Sequence, residues 1–111
     1  MAIINMLTAP TQCPHCKGTY LDYMQFCYGA TWQYKYHLGD TLKWEEAINV
    51  GDPAIPDAIV HGLSHLDNCP ICNIELEADY DIIVTDNILQ SIRPVESYDR
   101  YYEHEGDYYY P

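Results

Sequence analysis

The tetrapeptide CPHC, residues 13–16, recurs as CPIC at residues 69–72. Each copy holds two cysteines separated by two residues, and each has proline directly after the first cysteine. A C-x-x-C pair lets two thiolates reach one metal ion, and two such pairs supply the four sulfurs of a closed tetrahedral site. The sequence therefore predicts one structural zinc ion with four ligands: Cys13, Cys16, Cys69 and Cys72.

The backbone of each tetrapeptide has to curl beneath the metal. Pro14 and Pro70 fix φ for the turn between the ligands. The residue after the second cysteine favours a left-handed conformation, which glycine adopts most easily. The chain has Lys17 and Asn73 at these positions. Lysine tolerates this conformation less well than asparagine, so we expect the first turn to be looser, with Gly18 absorbing strain.

Paired C-P-x-C turns, each at the tip of a β-hairpin, resemble the knuckles of zinc ribbons and rubredoxins. The resemblance rests on the eight residues 13–16 and 69–72 and on the strand patterns around them. It implies a metal bound by four cysteines, zinc or alternatively iron, and specifies no function. The pairs are separated by 52 residues, 17–68, which is long for this pattern. We therefore expect a sheet of several strands over residues 19–66, inserted between the knuckles.

The pattern of the chain predicts a β-rich fold, all-β or mostly β, built as a small antiparallel sheet. Alternation is clearest at residues 31–37, where Trp32, Tyr34 and Tyr36 would share one face. Tight turns are expected at Gly39-Asp40 and Asp86-Asn87, one helical turn in 44–50, and irregular chain over 51–57. The predicted strands are 3–7, 19–26, 31–37, 41–44, 58–66, 74–78, 79–85 and 88–94.

Tyrosine dominates the aromatic composition, with 12 tyrosines beside 2 tryptophans and 1 phenylalanine. A buried tyrosine needs a partner for its hydroxyl, so we expect a largely aromatic core with half-buried sheet surfaces. At 111 residues a single domain is the default. We assign residues 1–95 to one zinc-stabilised β domain and residues 96–111 to a separate acidic, tyrosine-rich segment.

The segment 96–111 holds six tyrosines, five acidic residues and one arginine without any period. Two interpretations stay open: a disordered, solvated tail, or a contact segment that becomes ordered on a partner. Tyrosine is rigid and amphipathic and is favoured at interfaces. On the second interpretation, the residues that contact a partner are Asp99, Tyr101, Tyr102, Glu103, Glu105, Tyr108 and Tyr109.

The chain is strongly acidic, with 17 acidic residues against 5 basic ones and a formal net charge of −12. Such a field repels nucleic acids and acidic membrane surfaces and favours a basic protein partner, although acidity can also serve solubility alone. There is no basic, apolar leader pattern and no apolar stretch of membrane-spanning length. Five cysteines are an odd number and fit a disulfide framework poorly, so we expect a cytoplasmic protein with reduced thiols.

Other reactive side chains give weaker patterns. His61 and His65 have metal-ligand spacing only on a helix, and this stretch is predicted to be a strand. His15 lies inside the first knuckle and is expected at the surface. Cys27 is expected to be a small buried apolar residue, and Ser64 lacks the glycine that follows the serine in a nucleophile elbow. The sequence therefore predicts no enzyme activity.

Three functions agree with these patterns. The first is a non-enzymatic zinc-binding protein that binds a basic protein, in the manner of the small acidic immunity proteins and antitoxins that inhibit bacterial toxins. The second is a zinc-ribbon accessory protein of the transcription or translation machinery. The third is a rubredoxin-like iron electron carrier. Charge favours the first, because five scattered bases supply little affinity for nucleic acid.

Overall fold

The computed structural model of the protein describes residues 4–46, 48–76 and 79–111. Nearly all of the regular structure in these ranges is β, as the sequence predicts. One 3₁₀ helix, Asp99–His104, lies between the last two strands. The strands in chain order are β1 (Asn5–Gln12), β2 (Thr19–Phe26), β3 (Gly29–Ala30), β4 (Lys35–His37), β5 (Asn49–Val50), β6 (Ala58–Ser64), β7 (Asp79–Thr85), β8 (Ile88–Pro94) and β9 (Tyr108–Tyr109).

Seven strands form one sheet in the order β4-β1-β2-β6-β7-β8, with β9 beside β6, and β3 pairs with β5 separately. The neighbours are antiparallel except β1 and β4, which run parallel. The sheet curls until its two edges meet. The amide of Gly39, just after β4, donates to the carbonyl of Leu89 in β8 at 2.7 Å, and the amide of Leu42 donates to Asn87 at 2.8 Å.

The core fills the concave side of this curled sheet. Among the described residues, four of its thirteen members are aromatic, so the centre is mainly aliphatic rather than largely aromatic as predicted. Three further tyrosines, Tyr34, Tyr108 and Tyr110, pack half-buried against this cluster, where a ring can keep its hydroxyl near water or a polar partner. The buried cluster is Leu7, Ala9, Met24, Phe26, Tyr28, Tyr36, Leu42, Ala58, Val60, Tyr80, Ile82, Val84 and Leu89.

Most of the predicted strands are confirmed. The strands at 19–26, 79–85 and 88–94 have the predicted bounds, and the strand predicted at 58–66 ends at Ser64. The β7–β8 turn is formed by Asp86 and Asn87, which both have positive φ, 53° and 61°. The first strand extends beyond its prediction to Gln12, and part of the predictions at 3–7 and 74–78 lies outside the described residues.

The predicted strand 31–37 is largely wrong, because β4 contains only Lys35–His37. Gln33 has φ 59°, and a left-handed residue cannot continue a strand. Asn5, fully buried in β1, explains the loop. Its side-chain amide donates to the carbonyls of Ala30 and Tyr28, at 2.9 and 3.1 Å, and its Oδ1 accepts from the amide of Tyr34 at 3.0 Å.

The following chain is also less regular than predicted. The return strand expected at 41–44 is reduced to a single bridge between Thr41 and Ile88. The helical turn expected in 44–50 is replaced at its end by β5, Asn49–Val50, and residue 47 lies outside the described residues. Glu45 explains this local course, because its amide donates to the side chain of Asn49 at 2.8 Å.

The C-terminal segment, residues 96–111, packs against the sheet in this structure. In β9, Tyr109 pairs with Ile59 and Tyr108 pairs with Val60 of β6. Tyr101 of the 3₁₀ helix is only 2% exposed. The segment thus contributes to the folded body rather than leaving it as a solvated tail. None of the helices among the described residues is long and apolar enough to cross a membrane.

Candidate metal centre

The two cysteine tetrapeptides lie at the tips of two β-hairpins. The first connects β1 and β2, which pair along their whole length up to Gln12 and Thr19 beside the cysteines. The second connects β6 and β7 and is extended toward its tip by a bridge between Asn68 and Glu75. β2 and β6 are neighbours in the sheet, so both tips reach the same end of the fold.

The two knuckles have matching backbone geometry. In the first, the amide of Lys17 donates to the carbonyl of Cys13 at 3.0 Å, and the amide of Cys13 donates to the carbonyl of Gly18 at 2.9 Å. In the second, the amide of Asn73 donates to the carbonyl of Cys69 at 2.9 Å. Each turn therefore closes a loop around its first cysteine and directs the cysteine side chains to one side.

The residue after the second cysteine is left-handed in both knuckles, as predicted. Lys17 and Asn73 both have φ 63°, so the first turn is not looser than the second. Gly18 does not absorb strain, since its φ is not positive. A glycine fits there because a Cβ would lie 2.4 Å from Cδ1 of Ile71, in the opposite knuckle. Its role is thus close packing between the two tips.

The four predicted ligands come together at these tips. The sulfurs of Cys13 and Cys72 lie 3.7 Å apart, those of Cys16 and Cys69 lie 3.9 Å apart, and all four lie within 4.8 Å of one another. A metal at about 2.3 Å from four thiolates requires sulfur–sulfur edges of about 3.8 Å. These distances exclude disulfides, which need about 2.05 Å. The cluster can therefore hold a metal ion.

Backbone amides donate hydrogen bonds to the sulfurs of the cluster and favour their thiolate form. The amides of Ile71 and Cys72 donate to Sγ of Cys69 at 3.4 and 3.5 Å. The amide of Cys16 is the main cause that lowers the pKa of the Cys13 thiol to about 6. The amide of Ile74 lowers the pKa of Cys72, but burial and the three neighbouring thiols together raise it to about 11. Four thiolates this close need a positive charge among them.

The other candidates from the sequence lie outside this cluster. His15 is exposed. His61 Nε2 lies 2.7 Å from Asp79 Oδ1, and His65 Nδ1 lies 2.9 Å from the carbonyl of Tyr23. Among the described residues, the four cysteines are the only group of three or more potential ligands close enough to share a metal.

The surroundings of Cys27 and Ser64 do not activate either side chain as a nucleophile. Burial and the neighbouring Asp107 raise the pKa of the Cys27 thiol, which is half-buried. These surroundings favour the neutral thiol, which agrees with a packing role. Ser64 Oγ lies 2.7 and 2.8 Å from the two carboxylate oxygens of the buried Asp22, so this hydroxyl binds a carboxylate and not a histidine that would activate it.

The seven predicted partner contacts have different surroundings. Four of them are exposed, and Tyr102 is 79% exposed. Tyr108 and Tyr109 are half-buried in β9. Tyr101 is in the interior, 2% exposed, and its hydroxyl donates to Asp81, so its main role is to support the fold. The exposed four are Asp99, Tyr102, Glu103 and Glu105.

The structure adds two residues that the sequence patterns did not single out, Asp79 and Tyr98. The hydroxyl of Tyr98 donates to Oδ2 of Asp79 at 2.8 Å, while His61 contacts the other carboxylate oxygen. These contacts join the C-terminal segment to β6 and β7. No local sequence pattern predicts these contacts, because each one joins residues of separate elements.

No protein-family model matches this chain, and no curated protein or solved structure matches it.

Proposed function

We propose that this protein is a non-enzymatic, zinc-stabilised β domain that binds a basic protein partner. The observation that carries the zinc part is the cluster of four sulfurs at the two hairpin tips, with edges of 3.7 and 3.9 Å. A tetrahedral thiolate site requires edges of this length. Both knuckles also share the same left-handed backbone turn.

The donor set favours a structural role for the metal. A catalytic zinc keeps one position open for water or substrate, whereas a four-thiolate site has none. Cys13 and Cys69 are almost completely buried, at 0% and 2% exposure. Zinc would thus join two hairpins that lie far apart in the sequence. Iron binds the same ligand set, and the red colour and visible absorbance of a four-thiolate iron site would identify the electron-carrier alternative.

The distribution of charge supports a basic partner. Three of the five bases contact the protein's own groups, and the chain as a whole carries a formal net charge of −12. Electrostatic attraction to a positive surface raises association rates. These three bases are Lys43, 4.4 Å above the ring of Tyr34, Arg93, 2.9 Å from Asp81, and Arg100, 4.6 Å above the ring of Tyr109.

The specific form of this proposal is an immunity- or antitoxin-type inhibitor that covers the cationic cleft of a toxin. Its support is the small size, the net charge of −12, and the exposed acidic side chains of the 3₁₀ helix and the turn after it. Asp99, Glu103 and Glu105 all lie there. Since this helix packs on β6 through β9 and Tyr101, the acidic groups are presented on a folded support, which lowers the entropy lost on binding.

Affinity capture tests the partner. The zinc-loaded protein is immobilised, lysate of its own host is passed over it at low salt, and bound material is eluted with a salt gradient. A matched column carries Cys69→Ser, which removes one ligand. We expect one basic protein that elutes with salt and is absent from the Cys69→Ser column. Ribosomal proteins or polymerase subunits would replace the inhibitor role with the machinery role, and a partner insensitive to salt would contradict electrostatic recognition.

A further inference from the structure

A small pocket lies where the C-terminal segment covers β6 and β7. Its volume is about 140 Å³, which is too small for the drug-sized ligands that occupy about 300–1,000 Å³ and suits one side-chain head group. Three tyrosine rings, one carboxylate and one imidazole surround it. The lining residues are His61, Asp79, Tyr98, Tyr101, Tyr102 and Gly106.

We propose that this pocket binds a single cationic side chain, a lysine ammonium or an arginine guanidinium, from a basic partner. The inference rests on the proposed function and identifies a place where recognition occurs. A carboxylate beside aromatic rings is the environment that a cation prefers, because it combines an ion pair with the negative faces of the rings.

Asp79 supplies the negative charge of the pocket. Its Oδ1 lies 2.7 Å from His61 Nε2, and its Oδ2 accepts from the hydroxyl of Tyr98 at 2.8 Å. A carboxylate has about four acceptor positions, so each oxygen can accept one more donor. These two contacts hold the carboxylate in place before a ligand arrives, which reduces the entropy lost on binding.

The charge of Asp79 is reachable and not neutralised by a lysine or arginine. Its side chain is 31% exposed, and among the described residues its ion-pair partner is His61 alone. Arg93 is held by Asp81 instead, with Nε 2.9 Å from Oδ2. A partly shielded carboxylate attracts a cation more strongly than one in open solvent, since the effective dielectric constant is lower.

The rings form a fixed inner wall and an accessible outer wall. Tyr101 is 2% exposed, its ring packs edge-on against His61 at 5.5 Å and against Tyr109 at 5.0 Å, and its hydroxyl donates to Asp81. Tyr102 is 79% exposed and can close over a bound side chain. Gly106 contributes no side chain to the opening, and a Cβ there would contact nothing within 4 Å.

Chemical-shift titration tests the pocket with defined probes. Isotope-labelled protein is titrated with N-acetyl-arginine methylamide, with N-acetyl-lysine methylamide and with the neutral N-acetyl-norleucine methylamide. We expect the amides of His61, Asp79 and residues 101–106 to shift with at least one cationic probe and not with the neutral one. Equal shifts with the neutral probe, or shifts elsewhere only, would overturn the inference.

Two variants and one control distinguish binding in the pocket from non-specific attraction by the protein's overall negative charge. Asp79→Asn should weaken binding of the cationic probe by about tenfold, and Tyr102→Ala by about threefold through the lost ring. Tyr102 is largely exposed, so its variant keeps the fold even if Asp79→Asn does not. Glu46→Gln removes the same charge outside the pocket and should change affinity less than twofold. If Glu46→Gln weakens binding as much as Asp79→Asn, the inference fails.

The capture experiment distinguishes failure of the pocket from failure of the proposed function. A partner retained equally by wild type, Asp79→Asn and Tyr102→Ala would overturn the pocket as a recognition site and leave partner binding intact. Loss of the partner in both variants, with retention in Glu46→Gln, would support it. Binding of the cationic probes with no captured protein would contradict the proposed function and support the cation site.

Discussion

The sulfur of Cys13 lies 3.7 Å from the sulfur of Cys72, although 59 positions separate the two residues. The second close pair, Cys16 and Cys69, has the same arrangement at 3.9 Å. Each pair joins one hairpin tip to the other, so any ion held there connects the β1–β2 hairpin to the β6–β7 hairpin. An ion bound there would offset the repulsion among four thiolates, so on the proposed function this connection gains stability from the metal.

Loss of one ligand is predicted to unfold or strongly destabilise the protein. Cys69→Ser removes a thiolate that is 2% exposed and leaves three ligands for the metal. Zinc binding contributes on the order of 10 kcal/mol in small zinc domains, so most of the cooperative thermal transition should disappear. The matched control is Cys27→Ser, at the fifth cysteine, which should lower the free energy of unfolding by only about 1 kcal/mol, the typical cost of a single substitution. Similar melting of both variants would contradict a structural site.

Glycine at the first knuckle is predicted to stabilise the fold. Lys17 has φ 63°, a conformation that costs a residue with a Cβ about 1–2 kcal/mol and costs glycine almost nothing. Lys17→Gly should therefore raise the free energy of unfolding by about 1 kcal/mol, measured by urea at fixed zinc concentration. Lys35→Gly, in β4, removes the same charge and should lower it by about 0.5–1 kcal/mol. Destabilisation by both variants would show that the left-handed turn is absent.

A matched pair of glycines tests the packing beneath β5. Gly51 and Gly39 have φ 92° and 94°, so alanine meets the same backbone cost at each, about 1 kcal/mol. A Cβ at Gly51 would lie 2.4 Å from the buried ring of Tyr28, whereas at Gly39 nothing lies within 4 Å. Gly51→Ala should be less stable than Gly39→Ala by a further 1–3 kcal/mol, roughly the cost of overpacking. Equal urea midpoints would contradict the contact.

Alkaline titration tests three tyrosines that are shielded from solvent. Burial raises the pKa of Tyr20, of Tyr28 and of Tyr101, the last also through its bond to Asp81. The folded state therefore keeps protons that the unfolded state loses near pH 10, so stability from these groups is present below about pH 10 and falls as the pH rises further.

The measurement is tyrosinate absorbance at about pH 11, before and after addition of denaturant. Absorbance should increase on unfolding, because the buried hydroxyls then ionise. In Tyr101→Phe, the increase in absorbance should be smaller by the contribution of one tyrosinate. Full tyrosinate absorbance in the folded protein at this pH would contradict the burial of these rings.

The sequence predicts the metal ligands because their chemistry is local. A C-x-x-C pair carries its turn within a few residues, and the φ values of Lys17 and Asn73 follow from that turn. Strands with strong patterns and clear turns, such as β7 and β8 around Asp86 and Asn87, are predicted for the same reason. Neither case requires knowledge of distant residues.

Long-range contacts explain what the sequence could not predict. The alternation at 31–37 is genuine, but the buried Asn5 binds this chain and Gln33 turns left-handed. The C-terminal segment shows no period of its own, yet β9 pairs with β6 and Tyr101 reaches Asp81. Each of these contacts depends on how the sheet curls, and no window of sequence contains that information.

The measurement that tests the central claim most directly is native mass spectrometry of the purified protein, with circular dichroism before and after chelation. We expect one zinc ion per chain, no iron, and loss of the folded spectrum when a strong chelator removes the metal. Readdition of zinc should restore it. A chain that carries no metal and keeps the same folded spectrum would contradict the account.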